Sequence, residues 1–328
     1  MFSSNGHPQT ERKLTIPLVT VNGRRLYIEE KGPHDAPVLL YLHGGPGTGC
    51  YDFMHQQSDR LGQHLRLVAL DQRGVLRSEP LAEDERLTLD DLLSDLEALR
   101  QHLHIERWSV LGHSFGGYLA LLYAITYPES VERLIFENPT FDFHSSVRSL
   151  LSAAADRFTA SGQVDLAAQC AQAIAAPSFT DELMQSFFHL MSALGDRRNS
   201  LYEHRTEANL FDTLVDNSGL PAEYWQRAQR HSQQIFAEGR LTQESLLPRL
   251  AEVACPALLL QGKYDSVTSP EQCNAFRESV VNGTVQLFTM SSHFVHLEEP
   301  DASAQAVLAF FDEMEEISAP LSQQNPSS

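Results

Sequence analysis

A chain of 328 residues, 42% hydrophobic and 20% charged, has room for one large domain or a core with an insert, and enough apolar residues for a sizeable buried core. Its 24 Lys and Arg against 43 Asp and Glu leave a net charge of −19, which argues against a nucleic-acid or anionic-membrane partner, because both select basic surfaces. The 4 cysteines form no CxxC pair and have no histidine pair at zinc spacing beside them, and no apolar leader or membrane-length apolar run is visible, so a reduced cytoplasmic protein is expected.

Short apolar runs alternate with helical patterns along the chain, the mark of an α/β fold. KLTIPLVTVNGRRLYIEEKG reads as two strands joined at an Asn22-Gly23 hairpin turn. APVLLYLHG and LRLVALD follow as buried strands. TLDDLLSDLEALRQHL has apolar positions at helical spacing, with Thr88 or Asp90 as its N-cap. WSVLGHS is a strand entering a turn, FGGYLALLYAITYP a helix stopped by Pro128, and VERLIFENP a strand. From Thr140 to Leu247 the chain is rich in Ala, Gln and Leu, with helical periodicity and no clear strand. Strands resume at CPALLLQGKYD and GTVQLFTM, and DASAQAVLAFFDEMEE is the last helix. The expected organisation is a core of residues 1–140 and 248–317, a helical lid over 141–247, and a polar, disordered tail over 318–328.

Gly112-His113-Ser114-Phe115-Gly116 is a G-x-S-x-G pentapeptide between an apolar strand and a helix. That placement puts a serine on a sharp strand-to-helix turn, with its oxygen exposed above a helix N-terminus. A serine at neutral pH needs a general base, and the base needs an orienting acid. MSSHFVHLEEP offers His293 and His296, and His293 is preferred as the base because it comes first after the Ser291-Ser292 turn. Asp265, after an apolar strand and a Gly turn, is the expected acid, ahead of Glu137 or Asp142 in FENPTFDF.

Acyl transfer builds charge on a carbonyl oxygen, and one preorganised N–H donor there is worth about 3 kcal/mol. The N–H of Phe115, after the nucleophile, is one such donor, and the HGGPG run of residues 43–47 supplies the second from Gly45, with Gly44 beside the substrate. A phosphate loop is the competing reading of HGGPG. It fails because the run lacks both the Walker spacing with its lysine and the G-x-G-x-x-G spacing.

HGGPG, DQRGVLRS at 71–78, GHSFGG around Ser114, GKYD ending at Asp265 and SSHFVHLEEP together resemble the α/β-hydrolase superfamily. Within it they resemble the proline iminopeptidase family of serine peptidases, with HGGPG and DQRG the more telling marks. The resemblance implies an α/β-hydrolase fold: a mostly parallel eight-stranded sheet flanked by helices, with an inserted helical lid. It also implies an enzyme that releases N-terminal proline or small residues from short peptides or amides, without a metal or organic cofactor. It covers the core; the lid holds no stretch matched to the family's amine-binding glutamate segment. Glu203, Glu207 and Asp212 in NSLYEHRTEANLFD are the lid carboxylates that could meet a substrate ammonium, although such residues more often face solvent. A carboxylesterase, lactonase or amidase on a small metabolite would use the same Ser-His-Asp machinery without an amine pocket. Cys50 after the oxyanion loop is expected to be a small buried hydrophobe or a target for thiol reagents.

Overall fold

In the computed structural model, residues 17–205 and 210–318 are described. The chain opens with β1 (Leu18–Val21) and β2 (Arg24–Lys31), paired across the Asn22-Gly23 turn. Then come β3 (Val38–Leu42), α1 (Tyr51–Leu61), β4 (Arg66–Asp71), α2 (Leu89–His102), β5 (Trp108–His113), α3 (Phe115–Thr126) and β6 (Val131–Glu137). A helical insert follows: α4 (Phe143–Ala160), α5 (Val164–Ile174), α6 (Asp181–Ala193), α7 (Leu210–Asn217), α8 (Ala222–Glu238) and α9 (Arg240–Gln243). The sheet resumes with β7 (Ala257–Gly262), α10 (Pro270–Ser279) and β8 (Gly283–Phe288), and the described chain ends with α11 (Val295–Glu298) and α12 (Pro300–Ser318).

One sheet of 8 strands runs in the order β1-β2-β4-β3-β5-β6-β7-β8. The β1–β2 and β2–β4 pairs are antiparallel, and every pair from β4 across to β8 is parallel. The parallel strands carry helices on both faces, which is why they read as near-continuous apolar runs. On one face Leu92, Leu96 and Leu99 of α2, Leu119 and Leu122 of α3 and Phe276 of α10 pack against the sheet. On the other, Phe53 and Met54 of α1 meet Val307 and Phe310 of α12. The insert has its own apolar cluster, including Val147, Leu151 and Phe158 of α4 and Leu183, Phe187 and Leu190 of α6.

Local chemistry accounts for several boundaries. Thr88 caps α2: its Oγ1 accepts from the Asp91 N–H, and the Asp91 carboxylate accepts from the Thr88 N–H, a reciprocal capping box. Asp142 accepts from the Ser145 N–H at 2.6 Å and so caps α4. Pro128 begins a short 3-10 turn just after α3. The four-residue α11 has no counterpart among the expected elements, and neither do two longer helices, α1 and α10. Each buries only a few apolar side chains, Phe53, Met54 and Leu61 in α1 and Cys273 and Phe276 in α10, so neither shows a strong apolar stripe. The tail expected to be disordered, beyond Ser318, lies outside the described residues.

Candidate active site

Ser114 sits between β5 and α3 with φ 54 and ψ −118, a backbone conformation that side chains with a Cβ rarely adopt. The two flanking glycines answer to close contact and not to φ. A Cβ on Gly112 would lie 2.2 Å from the Gly116 carbonyl oxygen, and one on Gly116 would lie 2.0 Å from the Leu42 carbonyl oxygen. The pentapeptide therefore turns sharply only because the chain can fold back on itself and against the end of β3.

The end of β3 leads into HGGPG, which lies alongside the serine. A Cβ on Gly44 would come within 3.1 Å of Ser114 Cβ and 2.9 Å of His113 Nδ1. The loop is a tight turn: the Gly44 carbonyl accepts from the N–H groups of Gly47 at 3.1 Å and Thr48 at 3.3 Å, and from Thr48 Oγ1 at 3.0 Å. His43 stitches it to the sheet. Its Nδ1–H donates to the Gly44 carbonyl and its Nε2 accepts from the Gln72 N–H, while burial lowers its pKa and keeps it neutral. Gly45 has φ 112, so its amide points where an L-residue would not readily put it. Among the described residues neither the Gly45 N–H nor the Phe115 N–H has a hydrogen-bond acceptor.

Asp265 and His293 meet. His293 Nδ1 is 2.9 Å from Asp265 Oδ1, and both side chains are almost completely buried. The carboxylate can only accept, so Nδ1 carries the hydrogen and Nε2 is left with a lone pair. Burial alone would raise the Asp265 pKa; His293 and the N–H groups of Val267 and Thr268, 3.0 and 2.8 Å from its oxygens, outweigh that and hold it below the usual value.

The loop carrying His293 is tied down from every side. The His293 N–H donates to the Tyr202 carbonyl at 2.9 Å, and the His293 carbonyl accepts from His113 Nε2 at 3.1 Å and Asn138 Nδ2 at 2.9 Å. Asn138 Nδ2 also reaches the Ser292 carbonyl, and its Oδ1 takes the Gly262 N–H. The His113 ring lies tilted at 51° against the His293 ring, 4.6 Å between centroids, and burial, reinforced by His293 and His296, pushes its pKa down to about 3. His113 thus stays neutral, donating from Nε2. Asn138 and His113 were not singled out from the sequence. The available signal was an Asn between a buried strand and Pro139, which in the structure has φ 39.

His296 has a different role from His293. It is fully buried, with Nδ1 2.8 Å from Glu137 Oε1 and Nε2 3.5 Å from Asp52 Oδ2. Burial works against its charge, but Glu137 and Asp52 outweigh burial and raise its pKa to about 10. Glu137, the rival acid after β6, is therefore committed to His296, and Asp142 to capping α4.

The DQRGVLRS run is architecture beside the site. Asp71 accepts from Arg77 Nε at 2.6 Å and Nη2 at 2.9 Å, and from the Cys50 N–H at 2.9 Å, anchoring the chain that follows the HGGPG loop. Arg73 forks onto Asp95 of α2 at 2.9 and 2.6 Å. The Arg73 carbonyl accepts from His231 Nδ1 of α8 at 2.8 Å, which docks the insert on this loop. Cys50 is wholly buried, and its thiol pKa is raised well above the ordinary value by burial first and Asp71 second. It is a packed residue and not a reactive thiol.

Of the carboxylates singled out in the insert, Glu203 is buried, only 3% exposed, and accepts from the Leu210 N–H at 3.0 Å. The general expectation of a solvated helix face fails here, because Glu203 lies just past a 3-10 turn (Gly195–Leu201), next to the Tyr202 carbonyl that holds His293. Glu207 lies outside the described residues, and the Asp212 side chain is likewise not described. Pro46 and Gly47 of HGGPG, with Thr48, form one wall of an open, mostly apolar groove of about 610 Å³, whose other walls include Met184, Phe188, Trp225 and Phe236 of the insert. Among the described residues no group of His, Cys, Asp and Glu is arranged to hold a metal ion, and no helix is long and apolar enough to cross a membrane.

The family described as alpha/beta hydrolase fold matches residues 37–300. The chain belongs to the α/β-hydrolase fold family. It is similar to a proline iminopeptidase from Xylella fastidiosa, 47% identical over 115 residues, which are 35% of this chain and 36% of the relative. A second relative, a proline iminopeptidase from Neisseria gonorrhoeae, is 41% identical over 115 residues, 34% of this chain and 35% of the relative. The matched stretch thus spans about a third of the length of these curated relatives, 36% and 35%. Among solved structures, a proline iminopeptidase-related protein from Thermus thermophilus superposes with a TM-score of 0.72 at 23% identity, covering 90% of this chain and 96% of that one.

Proposed function

We propose that this α/β-hydrolase is a serine hydrolase of the proline iminopeptidase type, releasing N-terminal proline or a small residue from short peptides or amides. The observation that carries the hydrolytic part is the buried Asp265–His293 pair, 2.9 Å between Nδ1 and Oδ1, on a loop tied through His113 to the Ser114 turn. In this reading Ser114 Oγ attacks the scissile carbonyl while its proton passes to His293 Nε2. Asp265 keeps the proton on Nδ1 and stabilises the imidazolium. The Gly45 and Phe115 N–H groups, with no acceptor among the described residues, receive the oxyanion. His293 then gives its proton to the leaving amine, the C–N bond breaks, and water deacylates Ser114 by the same route.

The amine-directed part is supported by the relatives named above and by Glu203. In this reading the Glu203 carboxylate, buried next to the Tyr202 carbonyl that holds the His293 N–H, also accepts from a substrate ammonium by charge-assisted hydrogen bonds. Glu207 is proposed in the same role from the sequence. The apolar groove beyond Pro46 suits a small apolar substrate side chain, with the helical insert acting as the lid that chooses it.

The test compares proline β-naphthylamide, its N-acetylated form and p-nitrophenyl acetate. Turnover of the free amine, with the acetylated compound at least about 100-fold slower, is expected if an ammonium is recognised by a buried charge. Good turnover of the ester with none of the free amine overturns the peptidase reading and leaves an esterase, lactonase or amidase.

A further inference from the structure

Three backbone N–H groups from two parts of the chain converge on Glu298. Its Oε2 accepts from the Ser292 N–H at 2.6 Å, and its Oε1 accepts from the His204 N–H at 2.6 Å and the Arg205 N–H at 3.1 Å. The side chain is only 4% exposed. Ser292 precedes His293; His204 and Arg205 follow Glu203. A buried carboxylate holding three amides forms strong, charge-assisted bonds, and among the described residues none of those amides donates to a second acceptor. Two further contacts join the same segments: the His293 N–H on the Tyr202 carbonyl at 2.9 Å, and the His204 ring stacked 3.7 Å from Tyr264, next to Asp265. The neighbouring Glu299 differs. It accepts from the Met290 N–H at 3.0 Å and Ser291 Oγ at 2.6 Å, on the histidine loop alone.

We propose that Glu298 is a positioning residue that latches the insert to the histidine loop, and thereby sets Glu203 at a fixed offset from His293 so that substrates with a free amine are selected. The inference rests on the peptidase reading for its substrate class, while the latch itself does not. Glu298→Gln leaves one neutral acceptor oxygen for three N–H donors, so the charge-assisted hold on the 203–205 segment weakens, and the proposed ammonium acceptor shifts relative to Ser114. An ester that does not use the acceptor is affected through the Ser292 bond only.

The experiment uses the full chain with Glu298→Gln, Glu299→Gln and Glu203→Gln, and the double variant of Glu298 and Glu203. Loss of one well-placed charged hydrogen bond predicts a fall of about tenfold or more in kcat/KM on proline β-naphthylamide for E298Q, carried mainly by KM, with p-nitrophenyl acetate within about threefold. E299Q should lower both substrates by the same factor. In the E203Q background, E298Q should add less than about threefold, because the two residues act as one unit. Equal losses on amide and ester in E298Q, or additive losses in the double variant, overturn the proposal. Amide hydrogen exchange gives a readout independent of substrate. Residues 199–205 should exchange at least about tenfold faster in E298Q while the central strands keep their protection, and unchanged exchange in 199–205 also overturns the latch. If the wild type cleaves no proline substrate, the peptidase reading falls and exchange alone judges the latch. Should E298Q fail to fold, Glu298→Asp, which keeps the charge on a shorter stem, takes its place in both measurements with smaller changes in the same direction.

Discussion

His296 Nδ1 lies 2.8 Å from Glu137 Oε1, in a wholly buried pair three residues beyond the histidine that meets Asp265. Two histidines and two acids of similar sequence context have thus sorted into two couples. One stands beside His113, the residue before Ser114, and the other joins the end of β6 to α1 through Asp52. Removing one member of a buried pair leaves an uncompensated charge, which costs roughly 3–5 kcal/mol. His296→Ala should therefore lower stability by about that amount, while Glu137→Gln together with His296→Gln should lower it less. Urea denaturation of the three proteins measures the difference.

The same pair sets a pH dependence. The His296 pKa is raised from 6.5 to about 10 in the folded protein, so its contribution is fully present below pH 6.5 and is lost as pH rises through 10. Glu137 and Asp52 are shifted down, so their contributions are present above the ordinary carboxylate range and fade as pH falls through their lowered values. Wild-type unfolding free energy should fall between pH 6.5 and 10 more steeply than that of His296→Ala. Parallel slopes would show that His296 is not held protonated.

The strained turn predicts a trade between stability and activity. Ser114 holds φ 54, and such a conformation costs about 1–3 kcal/mol for a residue with a Cβ. Ser114→Gly should be more stable than Ser114→Ala by roughly 1 kcal/mol, with both variants inactive. Thermal unfolding of the two variants side by side is the measurement.

Sequence reasoning reached the sheet, and brought Asp265 and His293 together as a pair, because both rest on local signals. Buried parallel strands announce themselves as apolar runs, and Ser114, Asp265 and His293, the proposed triad, each follow a strand. What it missed depends on partners far apart in the chain. Glu137 was weighed as a catalytic acid because it ends a strand, and only the fold shows it 159 positions from its partner His296. Asn138 and Glu298 work by holding backbone groups of remote loops, which leaves no periodic trace. The helices α1 and α10 bury too few apolar residues to stand out. Glu203 was named but expected to face solvent, because its burial is imposed by the insert packing on the histidine loop.

Gly45 offers a separate test of the oxyanion loop. With φ 112, and a Cβ that would lie 2.4 Å from the Gly47 nitrogen, alanine cannot be placed there without moving the turn. Gly45→Ala should lower kcat by roughly 100- to 1,000-fold, the effect of losing one oxyanion donor, with KM changed little. Steady-state kinetics on whichever of the three substrates the wild type turns over gives the answer.

The central claim is that Ser114 is a nucleophile activated by His293 and oriented by Asp265, and fluorophosphonate labelling followed by peptide mass spectrometry tests it most directly. Stoichiometric labelling of the peptide containing Ser114 is expected in the wild type, and none in Ser114→Ala. Labelling of Asp265→Asn should be slower by about 1,000-fold or more, because the wrong histidine tautomer then faces the serine. An unlabelled Ser114 in the folded wild type, or labelling at full rate in Asp265→Asn, would contradict it.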